Sequence, residues 1–121
     1  MTCPFGEVRQ LGFISKDIDR SMAYFVDAWG IGPWFVLRGL ASKMLYNGNS
    51  IDLDLSIAMA NNGELQFEIV QQNNEVRSMY SDALAQCPEL HLQHVAVWSD
   101  SVVATEAEAH VRGWKSVFET L

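Results

Sequence analysis

Residues 9–30, RQLGFISKDIDRSMAYFVDAWG, lie over residues 93–114, QHVAVWSDSVVATEAEAHVRGW, without a gap. The overlay sets Gln10 on His94, Gly12 on Ala96, Phe13 on Val97 and Ser15 on Ser99. Each copy opens on alternating residues rich in β-branched and large apolar side chains, the period of a strand with one buried face. Each then meets an acid or serine able to cap a helix, runs through a helical stretch of similar length, and stops at a glycine. In the first copy Asp17 or Asp19 is the cap, Met22, Phe25, Val26 and Trp29 recur at helical spacing, and Gly30 is the stop. In the second, Asp100 or Ser101 starts the helix and Gly113 ends it. A small residue in mid-strand, with a polar residue two positions before it, is common to both and favours a true internal repeat.

Between the copies the chain punctuates itself clearly. GPWFVLRGL (32–40) reads as a strand after a Gly-Ile-Gly-Pro turn, and KMLYNGNS (43–50) holds the turn signal Asn47-Gly48. IDLDLSIAMA (51–60) alternates almost strictly, Asn61-Asn62-Gly63 turns, and ELQFEIVQQ (64–72) alternates again. Residues 8–71 therefore read β-α-β-β-β. Residues 73–87 read as a helix with Met79, Ala83 and Leu84 on its apolar side and Pro88 beyond its end. HLQHVAVWSD is a strand, and WKSVFETL (114–121) a last one. The expectation is an α+β fold: one domain over residues 1–121, with a first βαβββ module at 8–71 and a shortened second module at 90–121. The sheet is mixed but mostly antiparallel, with the helices on the face away from a central cleft.

The bulk numbers exclude several classes. A chain of 121 residues with 49% hydrophobic and 19% charged residues builds an ordinary core. A net charge of -7 leaves no basic surface for nucleic acid. No apolar run reaches the ~18 residues of a membrane span. Cys3 and Cys87 read as free thiols of a reducing compartment, and no signal peptide is visible, so a cytoplasmic protein is expected.

The β-α-β-β-β unit, its repetition, and the stretches DIDRSMAYFVDAWGIGPW, GELQFEIVQ and LQHVAVWSD resemble the vicinal oxygen chelate superfamily, which includes glyoxalase I, methylmalonyl-CoA epimerase, extradiol dioxygenases and bleomycin-resistance proteins. The resemblance covers residues 7–118. It implies two modules curled around one cleft that holds a divalent metal (Zn, Ni, Co or Mn). Carried over by position, it implies Gln10, Glu68 and His94 as metal ligands. Gln10 stands where many relatives have histidine, and an amide oxygen is the weaker donor. The fourth ligand belongs on a strand the second module does not show.

His91 and His94, three apart in an extended strand, are expected on opposite faces, so that only His94 looks into the cleft. The cleft face of the 64–72 strand is expected to carry Gln66, Glu68 and Val70. The preceding strand is expected to add Asp52, Asp54 and Ser56 there. Gln66, Asp54 and Trp98 are the candidate ligand contacts, and Glu68 the candidate catalytic carboxylate.

Two main functional readings stay open. One is a metal-dependent lyase, isomerase or epimerase that moves a proton next to a carbonyl. The other is a metal-free protein that sequesters a cationic or aromatic small molecule, as bleomycin-resistance proteins do; a domain serving only in assembly is a third. A homodimer is expected, since open strand edges invite pairing.

Overall fold

The computed structural model describes residues 3–120. Its elements run β1 (Val8–Ile14), α1 (Ile18–Trp29), β2 (Phe35–Tyr46), β3 (Asn49–Asn62), β4 (Leu65–Gln72), α2 (Met79–Gln86), β5 (His91–Val97), α3 (Val102–Val111) and β6 (Phe118–Thr120). Met1, Thr2 and Leu121, within the expected domain and its last strand, lie outside the described residues. The strands form one six-stranded sheet in the order β5-β1-β4-β3-β2-β6. Only β1 and β4 run parallel; the other neighbours are antiparallel.

The capping signals stand at the helix ends. Asp17 caps α1 by accepting from the Arg20 amide, and Gly30 closes it in the left-handed conformation that lacks a Cβ penalty. Ser101 caps α3 in the same way. β2 is longer than its sequence suggests. It runs unbroken to the Asn47-Gly48 turn, with the irregularity between Leu37 and Leu40 absorbed at Gly39, whose φ is 66°. α2 is shorter than the expected 73–87 helix. Gln71 donates to Asn73, Gln72 donates to Asn74, and Asn74 donates to the Asp52 carbonyl of β3, so the helix waits for the capping box at Ser78.

Two cores lie on the two faces of the sheet. On one face α1 buries Ile18 and Phe25 against Ala58, Ala60 and Ile69, with Phe13, Phe67 and Trp34 around Phe25. On the other, α2 brings Tyr80 and Met79 down on Ile14, Leu53, Leu55 and Val70, and Phe118 closes against Tyr80. The expectation that every helix packs away from the cleft is therefore corrected. α2 shares the face of Glu68, because its apolar side needs cover and the apolar lower part of that face supplies it. Among the described residues no helix is long and apolar enough to cross a membrane.

Candidate functional site

The sheet register fixes what lies beside what on the face opposite α1. Gln66 pairs with Gln10, Glu68 with Gly12, and Gly12 with His94. Directly paired residues project from the same face. Three polar side chains, from β1, β4 and β5, thus meet over a glycine. A Cβ built on Gly12 would collide with the His94 ring, so the ring occupies the space that Gly12 leaves. Lying there, it reaches across β1.

The contacts are specific. His94 Nε2 stands 3.3 Å from Glu68 Oε1 and 3.2 Å from Gln10 Oε1. Gln10 Nε2 donates to Gln66 Oε1 at 2.6 Å, which turns the Gln10 carbonyl towards the ring. Gln93 Oε1 accepts from His94 Nδ1 at 2.5 Å. A proton on Nδ1 leaves the Nε2 lone pair facing two oxygen acceptors. Three electron-rich atoms that face one another in this way need a proton or a cation among them. The Glu68 side chain is 16% exposed and that of His94 28%, so the group is sheltered but open to a ligand.

β5 departs from the simple alternation on which the histidines were judged. Its pairing with β1 slips between Gly12 and Phe13, so that Gln93 is an extra residue opposite them. The bulge breaks the period of two, and His91, paired with Ile14, shares the face of His94. The expectation of opposite faces is corrected, although His91 keeps a separate partner in the Glu89 carbonyl. The bulge also brings Gln93 to His94, a contact that strand alternation gave no reason to expect.

Asp54 is placed elsewhere. Ile57 pairs with Val70 and Met59 with Glu68, so the odd-numbered residues of β3 share the Glu68 face. Asp52, Asp54 and Ser56 project from the other side, where Asn73 Nδ2 donates to both Asp54 Oδ1 and Ser56 Oγ. The polar residues of β3 and β4 fall on different faces because the turn sets the register, and the pattern of either strand alone is blind to it. Trp98 lies just beyond β5, half exposed and outside the cluster. Tyr80 is a neighbour that sequence reasoning missed: it is buried, and its phenol is pushed up to about 12, first by burial and then by the Glu68 charge.

Two cavities lie away from the cluster. One of about 740 Å³ lies at the start of α1, near Lys16, Asp19 and Arg38. One of about 750 Å³ lies between β5, α3 and β6, lined by Val95, Val97, Trp114 and Phe118. In the first, Arg38 and Asp19 already neutralise each other, and neither includes Gln10, Glu68 or His94.

A profile of the glyoxalase/bleomycin resistance protein/dioxygenase superfamily matches residues 9–120. The chain belongs to that superfamily. A variant of Streptomyces coelicolor methylmalonyl-CoA epimerase, in complex with 2-nitronate-propionyl-CoA, superposes with a TM-score of 0.62 at 16% identity, covering 92% of this chain and 72% of that one. A second variant of the same enzyme gives 0.62 at 17% identity over the same shares. A selenomethionyl methylmalonyl-CoA epimerase gives 0.56 at 19%, covering 90% of this chain and 72% of that one. At these identities the likeness carries the fold. A comparison with curated proteins gives no match.

Superfamily membership raises the question of a divalent ion, and the spacing of the polar atoms bears on it. Ligands bound at about 2.1 Å in a tetrahedral or octahedral shell stand about 3.0–3.4 Å apart. The separations of 3.2 Å and 3.3 Å around His94 Nε2 fall in that range. Among the described residues no three His, Cys, Asp or Glu side chains converge; the third polar atom, facing His94 Nε2, is the amide oxygen of Gln10.

Proposed function

We propose that this superfamily member binds a small carbonyl compound over Glu68, Gln10 and His94 and moves a proton at the carbon next to the carbonyl, with a divalent ion held by those three residues. The observation that carries the reading is the convergence of His94 Nε2, Glu68 Oε1 and Gln10 Oε1 above Gly12. When bound, the ion supplies Lewis-acid polarisation of the ligand oxygen. The rest belongs to the chain. Glu68 is the one carboxylate of the cluster and the group that accepts the proton. Gln66 orients Gln10, Gln93 orients His94, and Tyr80 with its α2 neighbours covers Ile14 and Val70, which follow Gly12 and Glu68 on the same face. Three protein donors leave coordination positions for the ligand.

The metal-free reading, sequestration of an aromatic small molecule, draws support from two features: the third polar group is a neutral amide, and Phe35 and Leu37 on the same sheet face are apolar and exposed. A homodimer fits as well, since β5 is an outer strand with one edge unpaired among the described residues. The cytoplasm is the expected location.

Calorimetric titration with Zn²⁺, Ni²⁺, Co²⁺ and Mn²⁺ tests the reading. His94→Ala and Glu68→Ala each abolish the heat, and Gln10→Ala weakens it. A wild-type protein that gives no heat with any of the four ions, yet binds an aromatic ligand, overturns the enzyme reading in favour of sequestration.

A further inference from the structure

The cluster is one end of a transverse row that crosses five strands. Phe35 pairs with Met59, Met59 with Glu68, Glu68 with Gly12, and Gly12 with His94. Adjacent strands stand about 4.8 Å apart, so Met59 lies about one strand spacing from Glu68 and Phe35 about two. The row changes chemistry at Glu68: polar towards β5, apolar towards β2. The next row, Leu37–Ile57–Val70–Ile14, is apolar over four strands and ends at His91 on β5. Phe35 is 73% exposed and Leu37 56%, whereas Val36 between them turns into the α1 core. The cation nearest in sequence, Arg38, also points away and pairs with Asp19 of α1. No lysine or arginine stands in either row, so a phosphate-bearing tail finds no partner there.

We propose that Met59 and Phe35 form the specificity wall of the Glu68–His94 site, and that the ligand is a small carbonyl compound carrying an aryl or branched alkyl group. The inference rests on the proposed carbonyl-binding role of the cluster. It commits to a small molecule because the wall is continuous with the polar cluster in a single row. A ligand with its carbonyl over Glu68 lays its next several ångströms on the Met59 thioether and the Phe35 ring. Methionine fills irregular gaps beside aromatic groups, and an aryl substituent stacks on phenylalanine.

The test compares phenylpyruvate with pyruvate, which differ only in the phenyl group, by calorimetry on the full chain with and without Mn²⁺. Phenylpyruvate binds about tenfold tighter or better, the worth of burying one ring in part. Phe35→Ala and Met59→Ala each shrink that ratio, and the double variant brings it close to one, while Arg38→Gln on the opposite face keeps it. Circular dichroism confirms that each variant folds. Equal binding of the two acids, no binding of either, or a ratio untouched by the double variant overturns the proposal. So does light scattering that shows Phe35→Ala dissolving an oligomer, since the wall is then a subunit contact. Mn²⁺ heat measured alone separates the two readings: equal acids on a protein that binds Mn²⁺ overturn the wall and spare the metal site. A phenyl preference in a protein indifferent to Mn²⁺ does the reverse.

Discussion

The His94 imidazole lies over the main chain of Gly12, in the space that any side chain there would fill. The glycine lets a residue of β5 reach Glu68 of β4 with β1 lying between them. Gly12→Ala is therefore expected to push the ring off its partners and to cost about 1–3 kcal/mol by overpacking. In a Gly12→Ala/His94→Ala double variant the added methyl meets no ring, and the cost of the Gly12 change shrinks. Thermal denaturation of the four proteins of this cycle measures the coupling; strict additivity would sink the idea.

Gln66 touches Gln10 and not the ring, yet it sets the direction of the Gln10 amide. Gln66→Leu removes the acceptor and frees the amide to rotate. Loss of an orienting partner of this kind weakens metal affinity by about tenfold or more. The expected result is a weaker Mn²⁺ isotherm with an unchanged melting temperature. An unchanged isotherm would show that Gln10 plays no part in binding.

Sequence alone reached the fold because the signals that set it are local. Asp17, Gly30, Asn47-Gly48 and Gly63 are each legible from residue type, and each sits at the element boundary it announces. Gln10, Glu68 and His94 were legible as a set because the repeat overlays Gln10 on His94, and the superfamily resemblance added Glu68. What escaped depends on register. The turn at Gly63 fixes which residues of β3 join Glu68, and it chose Met59 over Asp54. The bulge at Gln93 broke the alternation that had separated His91 from His94. Neither choice leaves a trace in the composition of a single strand.

Phe25 and Phe35 provide a matched pair. Phe25 is 4% exposed and ringed by Phe13, Phe67 and Trp34; Phe35 is 73% exposed. Phe25→Ala is expected to cost about 3–5 kcal/mol. Phe35→Ala is expected to fall within about 0.5 kcal/mol of wild type, since it removes little buried area. Urea unfolding measures both. A large loss at Phe35 would mean that a partner covers the ring in solution.

Tyr80 links α2 to the site and carries its own pH signature. Its phenol is pushed from 10.0 up to about 12, more by burial than by the Glu68 charge, so the folded protein holds it neutral where an unfolded chain has begun to ionise it. The stability this confers is whole below about pH 10 and is lost as pH rises towards the folded value, by on the order of 2 kcal/mol. Ultraviolet titration of the phenolates should show a late step near pH 12 that Tyr80→Phe removes. Glu68→Gln should move that step down only modestly, because burial, the larger cause, remains. A step that drops to the ordinary tyrosine range in Glu68→Gln would reverse the ranking: the carboxylate would then dominate, and the phenol would stand closer to the cluster than its packing against Ile14 and Val70 implies.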